Sequence, residues 1–357
     1  MNDKIAVLVV DDSSLMRNLI SKMIDGTEGL FAAGTAINGR DALEKLPEIQ
    51  PDIIVLDIEM PEMNGIEFLK ERKRRGIKIP VVILSSLAEK GAAVTIQALA
   101  LGASDFLQKP SGSVSVDISA VKERLIGMLF AFGERYRRYN KKSKPPAAVK
   151  PAAVPKIVPM RQNGRIELVC IGISTGGPDA LRVVCSTLDG DLRIPVCIVQ
   201  HMPQGFTLEF ARSLDKICPL DVKEAEDGDE LTGGRILIAR GDYHLEVEKL
   251  RGRGYVRVTR EPPVSGHRPS VDVLFASAAV SYQNHVLGVI MTGMGKDGAA
   301  QLGNIYREGG ITLGQDEQTS VVYGMPRIAY EQGYVMEQVP LERMGRRISE
   351  VAKLSRL

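Results

Sequence analysis

Short apolar runs alternate with longer amphipathic stretches along most of this chain. In the first third, runs at 5–10, 53–56, 80–84 and 104–107 have the length and β-branched content of strands. Between and after them, apolar positions recur at helical spacing over 15–24, 39–46, 66–74 and 92–101. Strands that alternate with helices predict a parallel sheet covered on both faces. The pattern resumes in the second half, with strand runs at 166–173, 194–200 and 285–291 and helical stretches at 179–188 and 299–307. Patterns at 235–239 and 255–260 read as the two arms of a hairpin with His244 between them.

The two patterned regions are separated by a segment of different composition. Residues 135–165 contain no Asp or Glu, Lys and Arg recur, and Pro145, Pro146, Pro151, Pro155 and Pro159 interrupt any helix. Such a stretch favours an extended, solvated connector. The expected organisation is two doubly wound parallel-sheet α/β domains, 1–133 and 164–357, joined by a flexible basic Pro/Ala-rich linker at 134–163.

Composition sharpens this picture only in places. With 357 residues, 44% hydrophobic, the chain can bury two separate cores. A net charge of +2 selects no class of partner. The basic linker lacks aromatic interleaving and no recognition helix is visible, so nucleic acid is not an expected partner. No run approaches the roughly 18 consecutive apolar residues of a membrane span, and the N-terminus leads directly into a strand followed by acids. The expectation is a cytoplasmic protein without a secretory signal or membrane insertion. Cys170, Cys185, Cys197 and Cys218 lie scattered in apolar surroundings, which suits reduced core thiols.

The chemistry sits where the strand patterns end. In the first region, one strand ends in Asp11-Asp12, another in Asp57, a third in Ser85-Ser86 and a fourth in Lys109-Pro110. Open α/β sheets bind ligands at this edge. Three converging carboxylates repel one another and invite a hard divalent cation with oxygen ligands, such as Mg²⁺. An added hydroxyl and lysine suit phosphoryl transfer onto a carboxylate. Acids serving only as helix caps are the ordinary alternative.

These residues, with the D-I-E-M-P-E-M-N-G loop that begins at Asp57, resemble in type and order the receiver domain of two-component response regulators. The resemblance implies a flavodoxin-like fold in which Asp57 accepts the phosphoryl group. It further implies that Asp12, Asp57 and the backbone carbonyl of Glu59 bind Mg²⁺, with Asp11 assisting through water. Lys109 would pair with phosphoryl oxygens, Ser85 would follow the phosphoryl group, and Phe106 stands where a switching aromatic is common.

In the second region the 166–173 run stops at a Gly-x-Ser-x-Gly group, Gly172, Ser174 and Gly176, and Pro178 opens the next helix. A strand, tight turn and helix can lift a serine hydroxyl clear of the strand end. Alone, the motif also fits any α/β protein with small residues at such a turn. His201 closes the 194–200 strand, and Asp297 lies in T-G-M-G-K-D-G, at 292–298, after the 285–291 strand. Serine, histidine and carboxylate at neighbouring strand ends form a set for nucleophilic acyl chemistry. In the same loop, Met294 can present its amide to a developing oxyanion. Asp297 standing alone would read as the N-cap of its own helix. Among other histidines, His285 starts its strand at the opposite edge, His244 reads as a surface or packing residue, and His267 in S-G-H-R-P-S stays open.

The motifs I-G-I-S-T-G-G-P, Q-H-M-P, S-G-H-R-P-S-V-D-V-L-F, M-T-G-M-G-K-D-G and S-V-V-Y-G-M-P resemble, in order, the catalytic domain of chemotaxis protein-glutamate methylesterases of the CheB type. The resemblance implies a triad of Ser174, His201 and Asp297, with the Met294 amide in the oxyanion hole. Its implied substrates are γ-glutamyl methyl esters on methyl-accepting chemoreceptors, with deamidation of receptor glutamines as related chemistry. No cofactor is needed for the hydrolysis. A chemotaxis histidine kinase would be the phosphodonor and chemoreceptor arrays the location, and nothing demands more than a monomer. The unphosphorylated receiver is expected to pack over the Ser174 site, and phosphoryl-Asp57 to weaken that packing. Arg240 departs from an expected proline, and Arg268 and Ser270 are candidates for a substrate loop. The competing reading is a non-catalytic regulator binding a phosphorylated ligand at the helix N-terminus formed by Gly176, Gly177 and Pro178.

Overall fold

In the computed structural model, which describes residues 4–85, 89–109, 115–140 and 165–354, the chain divides into two compact units between Val149 and Lys150. The first unit contains strands β1 (Ile5–Val10), β2 (Leu30–Ala36), β3 (Ile53–Asp57), β4 (Val81–Ser85) and β5 (Asp105–Gln108). Its helices are α1 (Ser14–Asp25), α2 (Gly39–Ile49), α3 (Gly65–Arg74), α4 (Glu89–Ala100) and α5 (Ser115–Asn140). The strands form one parallel sheet in the order β2-β1-β3-β4-β5. The order reverses direction between β1 and β3, so their carboxyl ends frame a crevice. All five residues of β3 are buried, which explains its unbroken apolar run.

Two elements of this unit are absent from the sequence reading. Strand β2, Leu-Phe-Ala-Ala-Gly-Thr-Ala, is an edge strand of small residues and carries little strand propensity. Helix α5 continues to Asn140, seven residues beyond the expected domain end at Gly133. Helix α2 also runs past the expected stop before Pro47, to Ile49, and closes with Gln50 in the left-handed region. The remainder of the linker, 141–164, lies outside the described residues, as do Ser86 and Pro110.

The second unit contains strands β6 (Leu168–Ile173), β7 (Val196–Gln200), β8 (Asp221–Glu224), β9 (Arg235–Ile238), β10 (His244–Leu250), β11 (Arg253–Thr259), β12 (Val286–Ile290), β13 (Ile311–Gln315) and β14 (Glu337–Val339). Its helices are α6 (Gly177–Ser186), α7 (Phe206–Asp215), α8 (Val271–Tyr282), α9 (Ala299–Arg307), α10 (Met325–Glu331) and α11 (Leu341–Leu354). Seven strands form a parallel sheet in the order β14-β13-β12-β6-β7-β9-β8. The first strand, β6, is central, and the chain builds outward from it in both directions. The switch point therefore lies at β6 and its neighbours β7 and β12, whose residues are all buried.

The expected hairpin between 235–239 and 255–260 is corrected. The antiparallel partner of β11 is β10, with Arg251 and Gly252 turning the chain at positive φ, whereas β9 belongs to the large sheet. Residues 251–252 supply the turn signal, while 235–239 is a buried run of the kind parallel strands show. The four cysteines are free thiols, three of them buried. Among the described residues, no helix is long and apolar enough to cross a membrane.

Candidate functional site

The first unit gathers its acids at the β1/β3 switch point. Asp11 and Asp12 follow β1, and Asp57 is the last residue of β3. Each offers a carboxylate oxygen within 4.8 Å of the others. Lys109, just after β5, reaches between two of them, with its Nζ 2.8 Å from Asp57 Oδ2 and 3.0 Å from Asp11 Oδ2. Burial pushes the Asp57 carboxyl above its ordinary value despite this ion pair. Burial acts most strongly against the charge on Lys109, but the hydrogen bonds and charges of Asp57 and Asp11 together outweigh it, and the ammonium is retained. An all-oxygen set of this kind fits a hard divalent cation. Glu59 and Asp12 line one open cleft of about 750 Å³ beside these acids.

The other expected residues of this site take defined positions. The Ser85 hydroxyl lies 2.5 Å from Thr95 Oγ1 on α4, which in turn donates to the Gly91 carbonyl. Thr95 was not read from the sequence; it is a buried polar residue in an apolar helical stretch. Phe106 is buried.

In the second unit, three strand ends bring Ser174, His201 and Asp297 into one chain of hydrogen bonds. Ser174 Oγ lies 3.0 Å from His201 Nδ1, and His201 Nε2 lies 2.7 Å from Asp297 Oδ2. Acid and base are nearly removed from water, with side chains 0% and 6% exposed. The turn after β6 places its positive φ at Gly176 (φ 74°), which caps α6, so Ser174 itself needs no strained backbone.

Asp297 is not the cap of its own helix. Helix α9 is capped by Gly298 without a side-chain hydrogen bond. The Asp297 carboxylate instead sits at the N-terminus of α8, accepting from Val271 N–H at 2.7 Å, Asp272 N–H at 3.0 Å and Ser270 Oγ–H at 2.8 Å. Burial raises its pKa, but the His201 hydrogen bond and these amides outweigh burial and hold it at about 2. An ionised Asp297 requires a proton on Nε2, so the Nδ1 lone pair faces Ser174.

The site also has supports that the sequence reading missed. Gln200, the last residue of β7, donates from Nε2 to the carbonyls of both Ser174 (3.0 Å) and His201 (3.3 Å). Thr292 Oγ1 donates to the Thr175 carbonyl at 2.9 Å, and the Ser174 N–H donates to the Thr292 carbonyl at 2.9 Å. Both residues lie inside motifs already quoted, beside the reactive groups, and their adjacency in sequence was the available signal. The 292–298 loop abuts the nucleophile so closely that a Cβ at Gly293 would come 2.8 Å from Ser174 Cβ. Among the described residues, nothing accepts a hydrogen bond from the N–H of Met294, in that loop, or of Thr175.

Ser270 and Arg268 take roles other than those expected, whereas His244 packs inside and His285 lies where its place in the chain predicts. Ser270 is fully buried against Asp297 and unavailable to a substrate. Arg268 turns to Asp242, 2.6 Å away. His244 is buried, accepting from Ser270 N–H through Nδ1 and contacting the Pro262 carbonyl through Nε2. His285 stands at the opposite edge of the sheet, its Nδ1 2.7 Å from the Arg165 carbonyl.

Comparison with known proteins agrees with this division of labour. The family model of the CheB methylesterase matches residues 169–348, and that of the response regulator receiver domain matches 7–117. A protein-glutamate methylesterase/protein-glutamine glutaminase of Treponema denticola is 56% identical, covering 98% of this chain and 99% of its own. The protein of the same description from Treponema pallidum is 46% identical, with 98% of each chain covered. The crystal structure of the Thermotoga maritima CheB methylesterase catalytic domain shares 37% identity and a TM-score of 0.51, covering 52% of this chain and 98% of that one. The chain belongs to the CheB methylesterase family, with a response-regulator receiver domain ahead of the hydrolase domain.

Proposed function

We propose that this protein is a phosphorylation-activated protein-glutamate methylesterase and protein-glutamine glutaminase that acts on chemoreceptors in sensory adaptation. The observation that carries the reading is the continuous hydrogen-bonded line from Ser174 through His201 to a buried, ionised Asp297.

In this mechanism Ser174 Oγ attacks the γ-carbonyl of a glutamyl methyl ester while His201 Nδ1 takes the hydroxyl proton. Asp297 keeps the second proton on Nε2 and stabilises the imidazolium. The Met294 amide, with that of Thr175, receives the oxyanion. The C–O bond to methoxide breaks as His201 returns its proton, and methanol leaves. Water, deprotonated by the same imidazole, then hydrolyses the acyl-enzyme, restoring the serine and releasing the glutamate carboxylate. A glutamine side chain follows the same course with ammonia leaving. This chemistry uses only side chains and backbone amides.

The first unit would supply the control. Asp57 accepts a phosphoryl group from a histidine kinase, with Asp12, Asp57 and the Glu59 carbonyl as the groups to hold Mg²⁺ and Asp11 assisting through water. When bound, that ion neutralises charge on the transferring phosphoryl group. The new phosphate adds charge and acceptor oxygens that compete for Lys109, and for the Ser85 hydroxyl now engaged with Thr95. Coupling of about 1–3 kcal/mol, typical of allostery, would raise hydrolysis about 5–150-fold. Replacement of Ser174 by alanine should abolish methanol release from methylated receptor. Release at the wild-type rate would exclude the triad. A non-catalytic ligand site at Gly176, Gly177 and Pro178 would have no need of the base and carboxylate aligned behind Ser174.

A further inference from the structure

The segment between β11 and α8 holds a histidine that the triad leaves unused. Val264 and His267 form a two-residue turn, with His267 N–H donating to the Val264 carbonyl at 2.9 Å and Val264 N–H to the His267 carbonyl at 3.1 Å. Ser265 (φ 53°) and Gly266 (φ 78°) occupy its corner with the paired positive φ of a type I′ turn. Ser265 Oγ donates to Asp272 Oδ2 at 3.0 Å, pinning the tip to the start of α8. This turn lays the His267 ring flat on the ring of His201, with centroids 3.7 Å apart and planes 13° from parallel.

This segment and the first turn of α8 thus hold the base from two directions. His267 covers one face of the imidazole, while Ser270, Val271 and Asp272 hold the carboxylate that binds its Nε2 edge. A ring stacked this closely cannot rotate about its Cβ–Cγ bond without driving its edge into its neighbour. The Nδ1 lone pair is therefore kept on Ser174, and water is kept from one face of the ring that becomes charged during acyl transfer.

We infer that His267 is a positioning residue for the reaction, acting through the flat face of its ring on His201. The inference rests on the esterase reading above and adds to it a group outside the triad. It assigns no proton transfer to His267 and no contact with substrate.

The test compares wild type, His267→Ala and His267→Phe in the full-length protein, with kcat and KM measured separately on methylated receptor. Loss of positioning should lower kcat by about 10–100-fold in the alanine variant, leaving KM within about twofold. Phenylalanine, flat but without ring nitrogens, should return kcat to within about threefold of wild type. A second readout needs no turnover: by NMR, the His201 Nε2–H should exchange with solvent faster in the alanine variant and at the wild-type rate in the phenylalanine variant. Unchanged kcat and exchange in His267→Ala would overturn the inference. So would a phenylalanine variant as impaired as the alanine one, which would make the nitrogens essential, or a change confined to KM, which would make His267 a substrate contact. Absence of methanol release from wild type would sink the esterase reading instead, with the exchange measurement still deciding whether the stack holds the ring.

Discussion

His201 meets Ser174 through Nδ1, at 3.0 Å, and gives its Nε2 edge to Asp297. In the familiar serine-protease arrangement the two ring nitrogens have the opposite assignments. Here the carboxylate comes from the loop after β12 and is anchored on α8, and it selects the tautomer from that position. Nitrogen-15 NMR of labelled histidine should therefore find the proton of His201 on Nε2 at neutral pH. A proton on Nδ1 would mean that Ser174 faces a donor and has no base.

Asp297 serves catalysis through that tautomer. The change Asp297→Asn leaves a side chain of the same shape but removes the charge that fixes Nε2–H. It should lower kcat by roughly 10⁴-fold with little change in KM. Steady-state methanol release gives both constants.

The same residue ties stability to pH. Its folded pKa of about 2 lies below the ordinary carboxylate value of 3.8. A depressed pKa contributes stability that is fully present above about pH 4 and is lost as pH falls through about 2. Asp272, raised by burial and by the charge on Asp297, acts in the opposite direction and reduces the net effect. Calorimetry of wild type and Asp297→Ala should show the difference in Tm for the hydrolase unit narrowing between pH 5 and pH 2. A constant difference would show that the charge contributes nothing to the fold.

Gly176 bears the conformational demand of the nucleophile turn. Its φ is 74°, and a Cβ there would come 2.8 Å from Val321. Replacement by alanine should destabilise the hydrolase unit by about 1–3 kcal/mol, seen as a lower urea midpoint for that transition with the receiver transition unmoved.

The parts legible in the sequence were those that a strand end announces. Asp57, Ser174 and His201 each close or follow a buried apolar run that has few alternative readings, and one rule about parallel sheets brings each to the carboxyl edge of its own sheet. Relations across the fold were hidden. That Asp297 would cap α8, rather than the helix it precedes, depends on a contact 25 and 26 residues back along the chain. Ser270 looked polar and loop-borne, hence substrate-facing, yet it is buried as a hydrogen-bond donor to Asp297. The stack of His267 on His201 depends on a turn tip arriving at a strand end, and no periodicity encodes that. Strand β2 and the pairing of β10 were missed because small residues and a short turn give weak local signals.

Control of hydrolysis through Asp57 links the chemistry of the two units, and methanol release from methyl-labelled receptor membranes measures it. Wild type and Asp57→Ala would be assayed side by side in Mg²⁺, with and without a small-molecule phosphodonor. Both proteins should release methanol, with a rise on adding the donor only in wild type. Equal rates with and without the donor would contradict control through Asp57, and absence of release from wild type under every condition would contradict the esterase itself.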